Sequence, residues 1–275
     1  MNCDFHCHST ISDGLLPPVE VVRRAAANGV DRLALTDHDD TSGLAIARAA
    51  AVEAGIDLVN GVEISIEWED ASFHIVGLGI DPNCPALREG LESVRSGRVE
   101  RAMRMSESLA RAGIQGVFEG AKKYAENSNL ISRAHFARYM VEIGVASDVH
   151  KIFESYLVPG KPGYVDHHWA SLQDAVKWIE LAGGVSVIAH PARYRVSANA
   201  LRRFIGDFKD CGGRAIEIAT GSHNPEQMAH FSRVAREFGF LGSRGSDFHG
   251  PGESWADLGK VAALPDDVTP VWSVL

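Results

Sequence analysis

Strand-like and helix-like segments alternate along most of this chain, and this alternation restricts its fold more than any other feature. Short runs rich in apolar residues at 2–5, 32–35, 58–66, 73–79, 185–189, 215–219 and 240–245 predict strands. Most are followed by a helical pattern, although 58–66 and 73–79 predict a hairpin that turns at Glu69-Asp70. Strands that alternate with helices indicate an α/β protein with a parallel sheet. About seven strands favour a closed or distorted barrel over an open sheet.

The alternation is interrupted once, by a long stretch that contains no strand-like segment. Helical patterns fill this stretch, at 87–112, 116–124, 132–143 and 147–157. A segment rich in proline and glycine then leads back to the alternating pattern. We therefore predict a barrel formed by residues 1–84 and 164–275, and a helical insertion over residues 85–163 that contributes to substrate binding.

Composition narrows the function. The formal net charge is −9, from 27 lysines and arginines against 36 aspartates and glutamates, which disfavours a surface that binds duplex DNA. A small anionic substrate remains compatible, because a few arginines and bound metals set the local field. The four cysteines form no CxxC pair, and neither a signal peptide nor a long apolar run is present. We expect a cytoplasmic protein without membrane contact, and the sequence does not indicate an oligomeric state.

The first chemically informative motif is His6-Cys7-His8, at the end of the first predicted strand. Residues two apart in a strand share a face, so the two imidazoles project together as a chelating pair. Barrel enzymes place their active sites at the carboxyl ends of the strands. Taken alone, the motif also fits two surface histidines on a loop.

Further histidines and carboxylates recur at the ends of the other predicted strands. Together with His6 and His8, the candidate metal ligands are Asp13, His38, Glu63, His74, His190, Asp247 and His249. Buried charges are costly unless they are paired or bind a metal, so this recurrence predicts a site for two or three divalent ions. Nitrogen and oxygen ligands without thiolates favour Mn²⁺, with Zn²⁺, Fe²⁺ or Mg²⁺ as alternatives.

These motifs, in this order, resemble the PHP (polymerase and histidinol phosphatase) family. The matching features are HxH with a following Asp, Thr36-Asp37-His38, Glu63, His74, His190-Pro191 and Asp247-Phe248-His249. The resemblance implies a distorted (β/α)₇ barrel with up to three metals. It assigns His6, His8, Glu63 and Asp247 to the first metal, Glu63, His74 and His190 to the second, and Asp13, His38 and His249 to the third. Asp37 and Asp39 would support the site rather than bind metal.

The insertion resembles that of the 3′,5′-nucleoside bisphosphate phosphatase subgroup, in which some relatives also trim RNA from its 5′ end. The resemblance covers residues 129–137 and implies that Ser132, Arg133 and His135 bind a second phosphate. Ser132 is also a good helix N-cap, and an ordinary capped surface helix is the alternative. Arg193 is a candidate phosphate clamp that stabilises charge in the reaction. His223 is a candidate for phosphate binding or for protonating the leaving group, or a loop histidine that caps a helix.

We therefore predict a metal-dependent phosphatase that removes the 3′-phosphate of nucleoside 3′,5′-bisphosphates, such as adenosine 3′,5′-bisphosphate, by attack of metal-activated hydroxide. A 5′-to-3′ exoribonuclease acting on short RNA and a histidinol phosphatase are the nearest alternatives. Histidinol phosphate has no second phosphate and would leave Arg133 and His135 unexplained. An amidohydrolase acting on C–N bonds commonly has a bridging lysine, where this chain has Glu63. A non-catalytic metal-binding module is disfavoured because the whole ligand set is retained.

Overall fold

A mixed sheet that nearly closes into a barrel organises the structure, a computed structural model that describes residues 1–167 and 169–275. The strands of the described residues are β1 (Cys3–Asp4), β2 (Arg32–Leu35), β3 (Asp57–Trp68), β4 (Ala71–Leu78), β5 (Ala170–Ser171), β6 (Val185–Ile188), β7 (Ala215–Thr220) and β8 (Leu241–Gly245). All except β5 follow one another around the barrel in chain order, and β5 pairs with β3. The predicted distorted barrel is confirmed, whereas the two-residue strand β5 is too short to leave a pattern in the sequence.

The sheet is parallel except around β4, which runs antiparallel to both of its neighbours. The predicted hairpin is present, and Glu69 and Asp70 form its turn with φ of 42° each. The reversal of β4 matters for the site. His74, near the start of β4, lies at the same end of the barrel as the carboxyl ends of the parallel strands.

Helices cover the outside of the barrel and form the insertion. In chain order they are α1 (Pro18–Ala27), α2 (Leu44–Ala54), α3 (Pro85–Arg95), α4 (Arg98–Arg111), α5 (Val117–Lys122), α6 (Arg133–Glu142), α7 (Val149–Ile152), α8 (Leu172–Leu181), α9 (Ala198–Asp210) and α10 (Pro225–Phe238). A π-helical turn, Phe153–Leu157, continues α7. None of the described helices combines the length and the apolar character that a membrane crossing requires.

The helical pattern predicted over 87–112 is two helices rather than one. α3 ends at Arg95 and α4 begins at Arg98, with Gly97 between them. A Cβ at Gly97 would lie 2.5 Å from Cε1 of His167, so the break lets the segment returning from the insertion pass close to the backbone. Sequence periodicity misses this break, because it does not report which distant segment packs against a helix.

The insertion has a hydrophobic core of its own, which begins in α4 rather than at residue 85. Its buried members include Met105, Leu109, Phe136, Ile152 and Leu157. The buried leucines and valine of α3, by contrast, belong to the main barrel core. α3 packs on α8, where Trp178 leaves no room for a side chain at position 90. The helices after α3 therefore form a second packed unit beside the barrel.

The gap between β1 and β8 is bridged by backbone hydrogen bonds that involve the residues directly after these strands. The Phe5 N–H donates to the Arg244 carbonyl (3.0 Å), and the Asp247 N–H donates to the His6 carbonyl (2.8 Å). Between these contacts, the two chains approach so closely that a Cβ at Gly245 would lie 2.3 Å from Cβ of His6 and 2.6 Å from its backbone nitrogen. This closure fixes the position of His6 relative to Asp247.

We predict that Gly245→Ala lowers the free energy of unfolding by about 3 kcal/mol, because the clashing atoms belong to backbone and Cβ and cannot swing away. Gly206→Ala is the matched control, since a Cβ at this position in α9 meets nothing within 4 Å. Alanine has the higher helix propensity, so the control should be unchanged or more stable by up to about 1 kcal/mol. Urea unfolding of both variants measures the difference, and equal stabilities would contradict this account of barrel closure.

Candidate metal centre

The nine residues predicted as metal ligands converge at one end of the barrel. His6 and His8 follow β1, His38 follows β2, and His190 follows β6. Glu63 and His74 project from β3 and β4, Asp247 and His249 follow β8, and Asp13 lies in the loop after His8. Each of these side chains is buried or partly buried. The chain thus gathers six imidazoles and three carboxylates around one small volume.

Glu63 occupies the middle of this cluster and is almost fully buried. Its Oε2 lies 3.1–3.2 Å from ring nitrogens of His6, His8 and His38. Its Oε1 lies 2.9 Å from His74 Nδ1 and 3.0 Å from His190 Nε2. A carboxylate whose two oxygens face different sets of histidines has the geometry of a bridging ligand.

The ligand atoms fall into four overlapping groups, in each of which all atoms lie within 4.8 Å of one another. The groups are His8–Asp13–His38–His249, His6–Glu63–His190, His6–His8–Asp247 and His38–Glu63–His74. This division differs in three respects from the one implied by the family resemblance. His8 joins the group of Asp13, His38 and His249, and Glu63 is absent from the group of His6, His8 and Asp247. His74 and His190 fall into separate groups, each of which contains Glu63.

Unpartnered polar atoms show that the cluster suits cations. Within the described residues, the buried atoms of the cluster that have no hydrogen-bond partner are His6 Nε2, His8 Nδ1 and Nε2, Asp13 Oδ1, His38 Nδ1, Glu63 Oε2 and His190 Nδ1. Buried polar groups are normally hydrogen-bonded, and exceptions mark functional sites or bound ions. Nitrogen and oxygen atoms that face one another without forming hydrogen bonds fit shared divalent metal ions.

The electrostatics of the cluster keep its carboxylates ionised and divide its imidazoles. The neighbouring carboxylates outweigh burial and raise the pKa of His6 and His8, whereas burial lowers the pKa of His38 and His249. Burial opposes ionisation of Glu63, but His6 and His38 outweigh it and hold the pKa of Glu63 well below its usual range. Burial likewise opposes ionisation of Asp247, but Arg193 and His6 outweigh it and hold the pKa of Asp247 well below its usual range. Burial lowers the pKa of His190 to about 4. Ionised carboxylates and neutral imidazoles are the forms that bind metals.

Backbone strain is concentrated at this end of the barrel. Asp39, His190 and Asp247 adopt positive φ angles of 52°, 27° and 55°. Such conformations cost about 1–3 kcal/mol each in residues other than glycine and persist where the surrounding structure enforces them. At His190 and Asp247, the strain turns the side chain into the cluster immediately after a strand has ended.

Glu217 is a residue of the site that sequence reasoning missed. Its Oε1 lies 2.7 Å from His6 Nδ1, and its Oε2 accepts the backbone N–H of His190. A buried carboxylate bonded to one ring nitrogen fixes the orientation of a histidine and directs the other nitrogen at a ligand. The available signal was one glutamate inside the otherwise apolar strand Ala215–Thr220.

Asp37 and Asp39 support the site without joining the cluster. Asp37 accepts hydrogen bonds from the Ser9 N–H (2.8 Å) and from the hydroxyls of Ser9 and Ser12 (2.7 Å each). These bonds fix the loop that leads to Asp13. Asp39 accepts from the Ser65 N–H (2.8 Å) and pairs with the buried guanidinium of Arg98. The ion pair between Asp39 and Arg98 joins the insertion to the barrel.

Arg193 lies at the mouth of the cluster, where its side chain is 46% exposed. Its Nη1 donates to Oδ2 of Asp247, a member of the cluster. The guanidinium therefore combines contact with the centre and access from solvent, as expected of a group that meets an incoming anion.

His223 takes part in a backbone network instead of facing the cluster with a free nitrogen. Its Nδ1 lies 2.9 Å from the Ile218 carbonyl, and its Nε2 accepts the Ala192 N–H at 3.3 Å. The first contact needs a proton on Nδ1 and the second needs a lone pair on Nε2, so the ring is held neutral. This arrangement ties the loop after β7 to the turn that carries Arg193, and it disfavours the predicted role of proton donor.

Ser132, Arg133 and His135 begin helix α6, and their first structural role is capping. Ser132 Oγ accepts the Ala134 N–H (3.1 Å), and the Ser132 N–H donates to His135 Nδ1 (3.1 Å), which forms a capping box. The opposite side of the buried His135 ring meets the backbone of Ser12, next to Asp13. α6 is thus docked directly on the loop that carries Asp13.

Arg133, Arg101 and Arg104 form a cationic group on the insertion without an acidic partner among the described residues. Their side chains donate to the backbone carbonyls of Leu157 (3.4 Å), Val165 (3.1 Å) and Asp166 (3.3 Å), respectively. Burial, together with the charges of Arg133 and Arg98, lowers the pKa of the Arg101 guanidinium to about 9. A guanidinium destabilised in this way favours a bound anion.

The buried His135 predicts a stability that depends on pH. Burial lowers the pKa of His135 to about 4, whereas in the unfolded chain it returns to about 6.5. The unfolded chain binds the extra proton between these values, so the stabilisation is complete above about pH 6.5 and is lost as the pH falls toward 4. His135→Gln keeps an acceptor for the capping box and should reduce the loss of unfolding free energy between pH 7 and 4.5 by about 2 kcal/mol.

Chemical unfolding of metal-free protein at several pH values tests this expectation. His230→Gln, at an exposed position of α10, is the control and should keep the wild-type pH dependence. Parallel curves for His135→Gln and wild type would show that protonation of His135 does not limit the stability of the folded chain.

Comparison with known proteins agrees with this geometry. The PHP domain model matches residues 4–220. The chain is 52% identical to a 3′,5′-nucleoside bisphosphate phosphatase of Chromobacterium violaceum, over 100% of this chain and 96% of the relative. It is 45% identical to a 5′-3′ exoribonuclease of Haemophilus influenzae, over 98% and 97% of the two chains.

A solved structure shares the architecture. It is described as a metal-dependent phosphoesterase from Bifidobacterium adolescentis, superposes with a TM-score of 0.82 at 28% identity, and is matched over 99% of this chain and 93% of that one. The match spans both the barrel and the insertion. With the family model covering most of the chain and the histidine–carboxylate cluster in place, the chain belongs to the PHP domain family of metal-dependent phosphoesterases.

Proposed function

We propose that this protein is a phosphatase that removes the 3′-phosphate of nucleoside 3′,5′-bisphosphates. The observation that carries the proposal is that two cationic sites occur together. The first is Arg193, at the mouth of the cluster that could hold metals. The second is the group of Arg101, Arg104 and Arg133 on the insertion, which has no acidic partner among the described residues. Burial and the charges of Arg98 and Arg193 lower the pKa of Arg133, and a bound anion would relieve this destabilisation of the charged guanidinium. Two separate cationic groups fit a substrate that carries two phosphates.

The cluster residues would hold the metal ions. We propose His6, His8, Asp13, His38, Glu63, His74, His190, Asp247 and His249 as ligands, with Glu63 as the bridge. Mn²⁺ is the proposed ion, because the donors are nitrogen and oxygen atoms without thiolates. Bound divalent ions would supply an activated water at neutral pH and neutralise charge on the reacting phosphate.

The side chains of the chain itself position the substrate. Arg193 would meet the equatorial oxygens of the 3′-phosphate and stabilise the charge that develops on them. Arg133, with the N-terminus of α6 formed by Ser132 and the adjoining His135, would hold the 5′-phosphate. Binding energy at this remote phosphate orients the reacting one, which raises the rate for bisphosphates above that for monophosphates.

The reaction breaks the bond between phosphorus and the 3′-oxygen, and the oxygen of a water molecule replaces the leaving group. The 3′-oxygen leaves with a proton, so adenosine 3′,5′-bisphosphate gives 5′-AMP and inorganic phosphate. Because both ring nitrogens of His223 are engaged by backbone groups, we assign the proton to water. His223 would instead position the turn that carries Arg193.

A 5′-to-3′ exoribonuclease acting on short RNA is the second candidate, favoured by the name of the Haemophilus influenzae relative. The two reactions share one recognition unit, a nucleotide with a 5′-phosphate and a scissile phosphate at its 3′-oxygen. They differ at the far side of the scissile phosphate, which is terminal in the bisphosphate and bonded to the next nucleotide in RNA. Because the arginines of the insertion would bind the 5′-phosphate, which both substrates carry, they do not distinguish the two reactions, and a direct comparison of substrates decides between them.

The carboxylate of Glu217 supplies a test of metal binding. We predict that Glu217→Gln weakens Mn²⁺ binding about 10- to 100-fold, because the amide no longer accepts the proton of His6 Nδ1 as strongly and the ring loses its orientation. Isothermal titration of metal-free protein with Mn²⁺ measures the change. Glu67→Gln, at an exposed position of β3, is the control, and equal affinities in both variants would refute a positioning role for Glu217.

The second phosphate site supplies a test of specificity. We predict that Arg133→Ala lowers kcat/KM for adenosine 3′,5′-bisphosphate at least about tenfold and changes kcat/KM for 3′-AMP less than about twofold. The lost charge-assisted contacts serve only the 5′-phosphate and are worth about 1.5–3 kcal/mol. Phosphate release with both substrates measures the ratio. Arg111→Ala, at the exposed end of α4, should keep the wild-type ratio, and an unchanged ratio in Arg133→Ala would contradict the two-phosphate model.

The substrate panel that decides the function also contains 5′-AMP, histidinol phosphate and a short 5′-phosphorylated RNA. Preference for the bisphosphate, with 5′-AMP as product, supports the proposal. Preference for RNA keeps the chemistry and makes the insertion a guide for the strand. If the folded, metal-loaded protein hydrolyses none of these substrates, both candidate functions are overturned.

A further inference from the structure

Two ligand-bearing loops of the metal centre are joined from outside by one arginine of the insertion. Arg138, three residues after His135 on α6, is buried, with 4% of its side chain exposed. Its Nη2 donates to the backbone carbonyl of Asp13 at 2.6 Å. The same nitrogen and Nε also bind the carboxylate of Glu253, at 2.8 and 3.0 Å.

Each end of this contact lies next to a residue of the cluster. Asp13 sits on a loop rather than a strand, and its carboxylate lies 3.4 Å from His249 Nε2 and 3.9 Å from His38 Nε2. Glu253 belongs to the turn after His249. In that turn, the Ser254 hydroxyl accepts the backbone N–H groups of His249 (2.7 Å) and Gly250 (3.1 Å). Arg138 therefore connects the loop of Asp13 to the turn of His249.

We propose that Arg138 and Glu253 are positioning residues that hold Asp13 and His249 at the spacing needed to share one metal ion. The inference rests on the metal ligands assigned under the proposed function. Loop residues are less restrained than strand residues, and a metal site needs its ligands fixed within about 0.5 Å. The sheet fixes Glu63 and His74 directly. The Asp13 loop and the His249 turn are joined by one backbone bond, from the Leu15 N–H to the His249 carbonyl (2.6 Å), and the Arg138–Glu253 bridge adds the side-chain contact that holds Asp13 and the turn after His249 together.

The geometry of the guanidinium explains why an arginine occupies this position. It donates in one plane to a carbonyl on one loop and to both oxygens of a carboxylate on another, which an ammonium cannot reproduce. His135 and Arg138 lie three residues apart and so share a face of α6, and His135 meets the backbone of Ser12. The insertion thus contacts the Asp13 loop at two adjacent points. By this inference it helps to build the metal centre as well as to bind substrate.

The test compares Arg138→Gln with wild type by counting bound Mn²⁺ after equilibrium dialysis and by isothermal titration. We expect the variant to bind one ion at least about tenfold more weakly while the remaining ions keep their affinity, and kcat to fall with less than about a twofold change in KM. Glu253→Gln should reproduce the loss, and the double variant should lose no more than either single one, because both break the same bridge. Arg138→Lys should recover only part of the affinity.

Arg202→Gln is the matched control, since it breaks a similar two-pronged pair with Glu237, which joins α9 to α10 and involves no residue next to the cluster. It should keep the wild-type ion count. Thermal unfolding without metal checks that the variants fold, and Glu253→Gln, on a partly exposed turn, serves if Arg138→Gln does not fold. Wild-type ion counts and affinities in both Arg138→Gln and Glu253→Gln would overturn the proposal.

The outcomes also separate this inference from the proposed function. A wild-type protein that hydrolyses no nucleotide but loses an ion on Arg138→Gln would keep the bridge and refute the phosphatase. A wild-type protein that binds no Mn²⁺, Zn²⁺ or Fe²⁺ would overturn both together.

Discussion

The burial of Glu63 among five histidines is the constraint on which the rest of the structure depends. An ionised carboxylate in the interior is unfavourable unless positive charge or hydrogen-bond donors surround it. Here the surroundings come from four strand ends of the barrel, with His6, His8, His38, His74 and His190 within 3.2 Å of its oxygens. The barrel must therefore close correctly before the charge is compensated, which ties the site to the completed fold.

Closing the barrel and building the site each force the backbone into an unfavourable arrangement, at different residues. Closure requires the close approach of Gly245 to His6, which only a residue without a side chain allows. The site requires His190 and Asp247 to turn inward at positive φ as soon as their strands end. The hydrophobic core and the backbone bonds of the sheet offset this strain, and the result is a fixed cluster of histidines and carboxylates at one end of the barrel.

The insertion is bound to the barrel by charged contacts beside the cluster rather than by a shared core. Arg98 pairs with Asp39, and Arg138 joins Glu253 to the Asp13 loop, while the apolar side chains of the helices after α3 form a separate cluster. Such contacts are directional, so they fix the orientation of α6 relative to the metal centre. Specificity for a second phosphate would follow from this fixed orientation.

The sequence by itself determined the barrel, its hairpin and the candidate ligands, because strand period, helix period and polar residues at strand ends are local signals. It did not reveal Glu217 or Arg138, since an acidic residue in an apolar strand and an arginine in a helix look ordinary until their distant partners are known. The sequence pattern did not predict the break between α3 and α4 for the same reason. Only the tertiary structure decided which histidines share an oxygen of Glu63 and that His223 faces backbone groups, because these contacts join segments far apart in the chain.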